Sequence, residues 1–186
     1  MVSKAIFRIS LALGLMVMTA MPLRSAMALD PENTLYLDLK YGRVVIEMLP
    51  NLAPRHVARI KELVRQKFYD GLKFHRVIEG FMAQTGDPNG DGTGGSGKRL
   101  RAEFSNAPHV RGTVSMARAQ SINSADSQFF IVTADSRFLD GKYTVWGKVI
   151  EGMEYVDMIK KGFGKSGLVP NPDIIVKMRV AADVDK

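Results

Sequence analysis

At 186 residues, 46% of them hydrophobic and 24% charged, the chain lies in the globular range and is short enough for one domain with a sizeable core. Six of its 17 glycines cluster between Gly86 and Gly97 and none recur at a fixed period, which excludes collagen-like and solenoid architectures. There is no cysteine, so disulfide staples and thiol chemistry are excluded and the core alone must stabilise the fold.

Residues 1–28 read as a secretory signal. Lys4 and Arg8 precede an apolar run from Leu11 to Met21, and Ala26-Met27-Ala28 offers a small-residue cleavage site, so the mature domain is expected over residues 29–186, in the periplasm or secreted. Eleven mainly apolar residues fall short of the roughly 20 that a spanning helix needs, so no stable membrane insertion is expected after processing. Cleavage removes Lys4, Arg8 and Arg24 with no acidic residue, taking the formal net charge from +7 to +4. The remaining basic residues are scattered, as in Arg55, Arg59, Lys61, Arg65 and Lys67, and no aromatic stripe accompanies the short run Lys98-Arg99-Leu100-Arg101. That pattern is a solvated face, and no nucleic-acid partner is expected.

Leu35, Leu37 and Leu39 alternate with polar neighbours at the period of a half-buried strand, Tyr41-Gly42 turns the chain, and Arg43 to Leu49 reads as the hairpin partner. From Pro54, the residues Val57, Ile60, Leu63 and Val64 form an apolar stripe at helical spacing that Gly71 is expected to close. Short β-rich runs follow over Phe74–Ile78, Phe81–Thr85, Thr113–Ala117, Gln128–Thr133 and Thr144–Ile150. A second helix is expected over Met153–Lys160 and a closing strand over Ile174–Val180. The order suggests a closed β-structure capped by two helices.

The stretch Gly86 to Gly95 imitates two motifs. Gly90, Gly92 and Gly95 have dinucleotide-fingerprint spacing, but no helical period follows in Ser96-Gly97-Lys98-Arg99 to receive a pyrophosphate. Asp87, Asn89, Asp91 and Gly92 open like a calcium loop, yet Lys98 stands where a bidentate Glu is required. A flexible surface loop is the expected outcome, with a weak cation site as the alternative. His56, His75 and His109 lack neighbouring carboxylates at ligand spacing, so no metal is expected, and His75 reads as a hydrogen-bonded structural residue. No Gly-x-Ser-x-Gly elbow is present to support hydrolysis.

What remains are six ordered words: Phe74-His75-Arg76-Val77-Ile78, Gly80-Phe81-Met82-Ala83-Gln84, Gly92-Thr93-Gly94-Gly95, Ser115-Met116-Ala117, Ser127-Gln128-Phe129-Phe130-Ile131 and Leu139-Asp140-Gly141-Lys142. Together they closely resemble the cyclophilin family of peptidyl-prolyl cis-trans isomerases over nearly the whole mature chain. The resemblance implies a mainly β fold, a closed eight-stranded antiparallel β-barrel capped by two α-helices, with no cofactor. It also implies a monomer that acts on proline-containing unfolded or flexible polypeptides and assists the folding of exported proteins.

By the same resemblance, Arg76 is the catalytic arginine and Gln84 its partner, while Phe81, Met82, Phe130 and Leu139 hold the proline ring. Ala117, Arg118, Gln128, Phe138 and Tyr143 line the rim. Three positions depart from the best-known members: Phe138 replaces Trp, Tyr143 replaces His, and Arg118 replaces Asn. The first two reshape the pocket border, and cyclosporin is expected to bind with reduced affinity. Two alternatives share the pocket, a proline-peptide-binding chaperone module with little catalysis and a scaffold in a larger envelope assembly. Pure binding would need the apolar groove but not Arg76.

Overall fold

The alternating leucines do what their period requires: Leu35 and Leu37 are fully buried on one face of β1 (Thr34–Leu39). The turn at Tyr41 returns the chain into β2 (Gly42–Met48), paired antiparallel with Leu39 opposite Gly42. The computed structural model describes residues 29–184, so the signal segment expected over 1–28 lies outside the described residues.

The first helix, α1 (Pro54–Arg65), begins with proline at its first turn and buries Val57, Ile60, Leu63 and Val64, as the stripe foretold. Its N-terminus is capped from a distance, because the Glu103 carboxylate accepts the amides of Arg55 and His56 and contacts His56 Nδ1 at 2.6 Å. The helix closes earlier than Gly71. Lys67 adopts φ 58°, its N–H donates to the Val64 carbonyl, and the Phe68 N–H reaches back to the Leu63 carbonyl. This is a Schellman ending with lysine at the left-handed position that glycine usually occupies.

The sheet continues through β3 (Arg76–Ile78), β4 (Met82–Thr85), β5 (Thr113–Met116), β6 (Phe129–Val132), β7 (Val145–Glu151) and β8 (Lys177–Val180). The second helix, α2 (Met153–Asp157), is three residues shorter than expected. Lys160 explains this, since its backbone N–H donates to Asp173 Oδ2 and so leaves the helical path.

All paired strands are antiparallel, in the order β3-β4-β6-β5-β7-β2-β1-β8. The expectation of a closed barrel is overturned: β3 and β8 are the two edges of an open, curled half-barrel. The segment beside β3 carries Pro170 and Pro172, which have no N–H to donate, and Asn171 at φ 49°. A continuous ladder is therefore replaced by isolated bridges, Lys73 to Ile174 and Arg76 to Leu168. Gly167 makes the approach possible, because a Cβ on it would stand 2.4 Å from Ile78 Cγ1.

The main core has Trp146, Phe129, Tyr69, Phe74, Ile46 and Met116 among its largest members. A second, smaller apolar cluster lies apart from it, made of Met82, Phe130, Val132 and Leu139 with Ile78, Phe81, Ala117 and Tyr143 packed around them. No described helix is long and apolar enough to cross a membrane.

Candidate active site

Strand register assembles the site. Arg76 of β3 stands opposite Gln84 of β4, and Gln84 stands opposite Phe130 of β6, so three residues distant in sequence form one row across the sheet. The two-residue period then adds Met82 to Gln84 on β4, and Gln128 precedes Phe130 by the same step.

These residues line a small cleft of about 100 Å³, with Phe81, Ala117, Arg118, Leu139 and Tyr143 completing its wall. Its floor is the second apolar cluster, in which Met82, Phe130 and Leu139 are buried. Nine of the eleven expected site residues therefore meet at one cleft. Gln128 lies behind it, lining an adjoining cleft of about 270 Å³. Phe138 stands at the lip, 63% exposed, with its ring 5.4 Å from that of Phe81.

A chain of hydrogen bonds orients the polar members. Arg76 Nη1 donates to Gln84 Oε1 at 3.2 Å, Gln84 Nε2 donates to Gln128 Oε1 at 2.9 Å, and Gln128 Nε2 donates to the carbonyls of Gly92 and Gly94 at 3.1 and 2.8 Å. Each amide is thereby fixed in one orientation. The glycine-rich loop ends this chain and is itself anchored by the buried Asp87, which accepts the amides of Asn89, Asp91 and Gly92. Carboxylates that looked like calcium ligands thus serve as turn anchors, and among the described residues no cluster of metal-binding side chains occurs.

Arg76 is held from the other side by the Ser166 carbonyl, which accepts from Nε at 3.0 Å. Its Nη2 has no hydrogen-bond partner among the described residues, and Arg76 is one of the residues lining the cleft. The arrangement presents a charged, directional donor above a surface that takes an apolar ring.

Sequence reasoning missed two contributors. Ser166 lies 90 residues beyond Arg76 and acts through its backbone, so no side-chain signal marked it. The sequence marks His109 only as a potential metal ligand, yet its ring stacks on Phe130 and meets Tyr143 edge-on. It also links Asp140 Oδ1 and Ser115 Oγ, each 2.9 Å from a ring nitrogen. The Asp-His-Ser order resembles a hydrolytic triad, but Ser115 is fully buried and donates to the Thr144 carbonyl. His75 is buried; neither ring nitrogen has a hydrogen bond of full geometry among the described residues, but the Lys73 backbone lies within reach of the ring, and burial lowers its pKa against the opposing charge of Asp87.

A family model described as cyclophilin type peptidyl-prolyl cis-trans isomerase/CLD matches residues 34–180. The chain belongs to this family. A Brucella suis protein named probable peptidyl-prolyl cis-trans isomerase is 56% identical over 173 residues, spanning 86% of this chain and 88% of its own. Peptidyl-prolyl cis-trans isomerase B of Bacillus subtilis is 43% identical over 133 residues, 70% of this chain and 92% of its own. Among solved structures, the cyclophilin AquaCyp293 of Hirschia baltica superposes with a TM-score of 0.75 at 30% identity, over 84% of this chain and 76% of its own. A cyclophilin-type isomerase of Cryptosporidium parvum, determined in the presence of the dipeptide Ala-Pro, gives 0.72 at 29% identity, over 79% of this chain and 98% of its own. The cyclophilin-like fold accommodates the open seam described above.

Proposed function

We propose that this cyclophilin-type protein catalyses rotation about X-Pro bonds in exported polypeptides, working as a monomeric domain over residues 29–186 in the periplasm or outside the cell. Peptidyl-prolyl isomerase activity is the activity of the family and of the named relatives. The neighbour studied with Ala-Pro supports proline-containing peptides as the ligand class. The exported setting rests on the signal-like segment at residues 1–28.

One observation carries the mechanism: Arg76 lines an apolar cleft with its guanidinium fixed on two sides, while Nη2 has no partner among the described residues. The planar amide resists rotation with a barrier of about 18–20 kcal/mol, because its nitrogen lone pair is delocalised into the carbonyl. Twisting localises the pair on nitrogen and makes it an acceptor. A donor held at the prolyl nitrogen is therefore stronger in the twisted state than in either planar one, which is the condition for catalysis. Met82, Phe130, Phe81 and Leu139 hold the ring, Gln84 steadies the guanidinium and the substrate carbonyl, and exclusion of water favours the twisted amide, whose charge separation is smaller. No bond is broken.

A protease-coupled assay on a proline tetrapeptide tests this reading. Catalysis well above the spontaneous rate is expected. Binding of the peptide without acceleration would instead identify a proline-peptide chaperone module. N-terminal sequencing of protein from its native host tests the setting: a mature chain beginning at Leu29 is expected, and one beginning at Met1 or Val2 refutes export with processing.

A further inference from the structure

Two clefts share the walls Gln84, Ala117 and Arg118, the proline cleft and the larger one of about 270 Å³ beside it. Arg118 stands at their junction. Its Nε donates to the Lys142 carbonyl at 3.2 Å, its Nη1 donates to the carbonyls of Ala119 and Gln120 at 3.0 and 3.3 Å, and the guanidinium lies over the Tyr143 ring at 4.7 Å. Four contacts fix a side chain that would otherwise lose rotamer freedom on meeting a ligand. Only Nη2 has no protein partner among the described residues.

The surrounding charge is mainly positive. Arg76 lines the first cleft and the exposed Arg99 lines the second, whereas Asp126 is the one carboxylate lining either. Asp126 is already engaged, since its Oδ1 accepts from the Ser96 amide and the Ser96 hydroxyl. A peptide lying across both clefts therefore meets three arginines against one carboxylate, and the Arg118 guanidinium itself has no acidic partner among the described residues.

We propose that Arg118 selects substrates bearing a carboxylate close to the proline, so that acidic X-Pro segments are the preferred substrate class. This rests on the isomerase reading above. The reach is short, because an extended chain advances about 3.3–3.6 Å per residue and the clefts share a wall. A carboxylate one or two residues from the proline thus meets Nη2, while a lysine there meets like charge.

The test uses short peptides carrying Glu, Gln or Lys at each of the two positions before and the two positions after proline, with kcat/KM measured by NMR exchange without a coupling protease. At low ionic strength the best position is expected to favour Glu over Lys by about fivefold, the upper range for exposed charge pairs. That ratio should fall below about twofold in Arg118→Gln, and also in wild type at about 1 M salt, where the screening length is near 3 Å. Equal treatment of Glu and Lys at every position, or a preference that persists in a folded Arg118→Gln variant, overturns the assignment. Should no peptide be turned over, the isomerase reading fails, and titration calorimetry of the Glu and Lys peptides decides the role of Arg118 by the same ratio in Kd.

Discussion

The His109 ring stacks on Phe130 with centroids 6.3 Å apart and planes 21° apart, placing a hydrogen-bonded residue directly behind the apolar floor of the cleft. Its two nitrogens reach Asp140, which follows Leu139 in the chain, and Ser115, which pairs with Phe130 across the sheet. One ring thus braces two pocket residues from behind. Replacing His109 by Leu leaves the buried Ser115 hydroxyl without its ring partner and should cost about 1–3 kcal/mol. A lower Tm is expected together with a raised KM, because Phe130 and Leu139 lose their support. An unchanged KM in a destabilised variant would confine His109 to a structural role.

Arg76→Ala should lower kcat/KM by about 100-fold, the order seen when one transition-state donor is removed. Tm should change little, because Arg76 is partly exposed on an edge strand. Arg76→Lys should also be poor, since a hydrated ammonium lacks the directed fork. Phe130→Ala is the contrast: it empties a site only 5% exposed and should cost about 3–5 kcal/mol of stability as well as substrate affinity. Near wild-type turnover by folded Arg76→Ala would refute the mechanism.

Lys67→Gly should stabilise the protein by about 0.5–1 kcal/mol, because the left-handed conformation costs a non-glycine residue roughly 1–2 kcal/mol and glycine's greater freedom in the unfolded chain returns part of that. Thermal melting measures the effect. A lower Tm would show that the lysine side chain contributes more than its backbone strain removes.

Acidification should destabilise the fold in two windows. Burial lowers the pKa of His56, opposed by its hydrogen bond to Glu103, and burial also lowers that of His75, opposed by the charge of Asp87. The unfolded chain then binds protons more readily than the folded one, so stability is full above about pH 6.5 and falls as pH drops below it. A separate loss belongs to carboxylates such as Asp157, lowered by its hydrogen bond to Arg111. That stability is present above the ordinary carboxylate value and lost as pH falls through the depressed one. Melting curves between pH 7.5 and 5, in steps of about half a unit, should show the histidine window. His75→Gln should shrink it to the share of His56, and a Tm independent of pH across that range in the wild type would contradict the assignment.

Phe138→Trp should tighten cyclosporin inhibition, because the exposed ring at the lip gains area and an indole N–H donor. An unchanged inhibition constant would show that this position does not govern affinity for the drug.

Local pattern carried much of this architecture. The leucine alternation gave β1, the apolar stripe gave α1, and six short words located nearly all of the cleft. Elements failed at their ends, where the deciding partner is remote: Asp173 shortens α2, and Pro170 and Pro172 leave the sheet open. The bracing roles of His109 and Ser166 were illegible for the same reason. Asp140 lies 31 residues beyond His109 and Ser166 lies 90 beyond Arg76, and in the case of Ser166 the functional atom is a backbone carbonyl, identical in every residue type.

The seam beside β3 also bears on how the protein comes into being. A chain is made from its N-terminus, so Arg76 and Gln84 emerge early, but the carbonyl that steadies Arg76 belongs to Ser166, and the bridges along its strand come from Leu168 and Ile174. Until those residues have emerged, the growing polypeptide holds its arginine on an unsupported edge. Full competence therefore waits for residues 166–174, some 90 positions after the arginine they support, when the greater part of the hydrophobic interior has already been made.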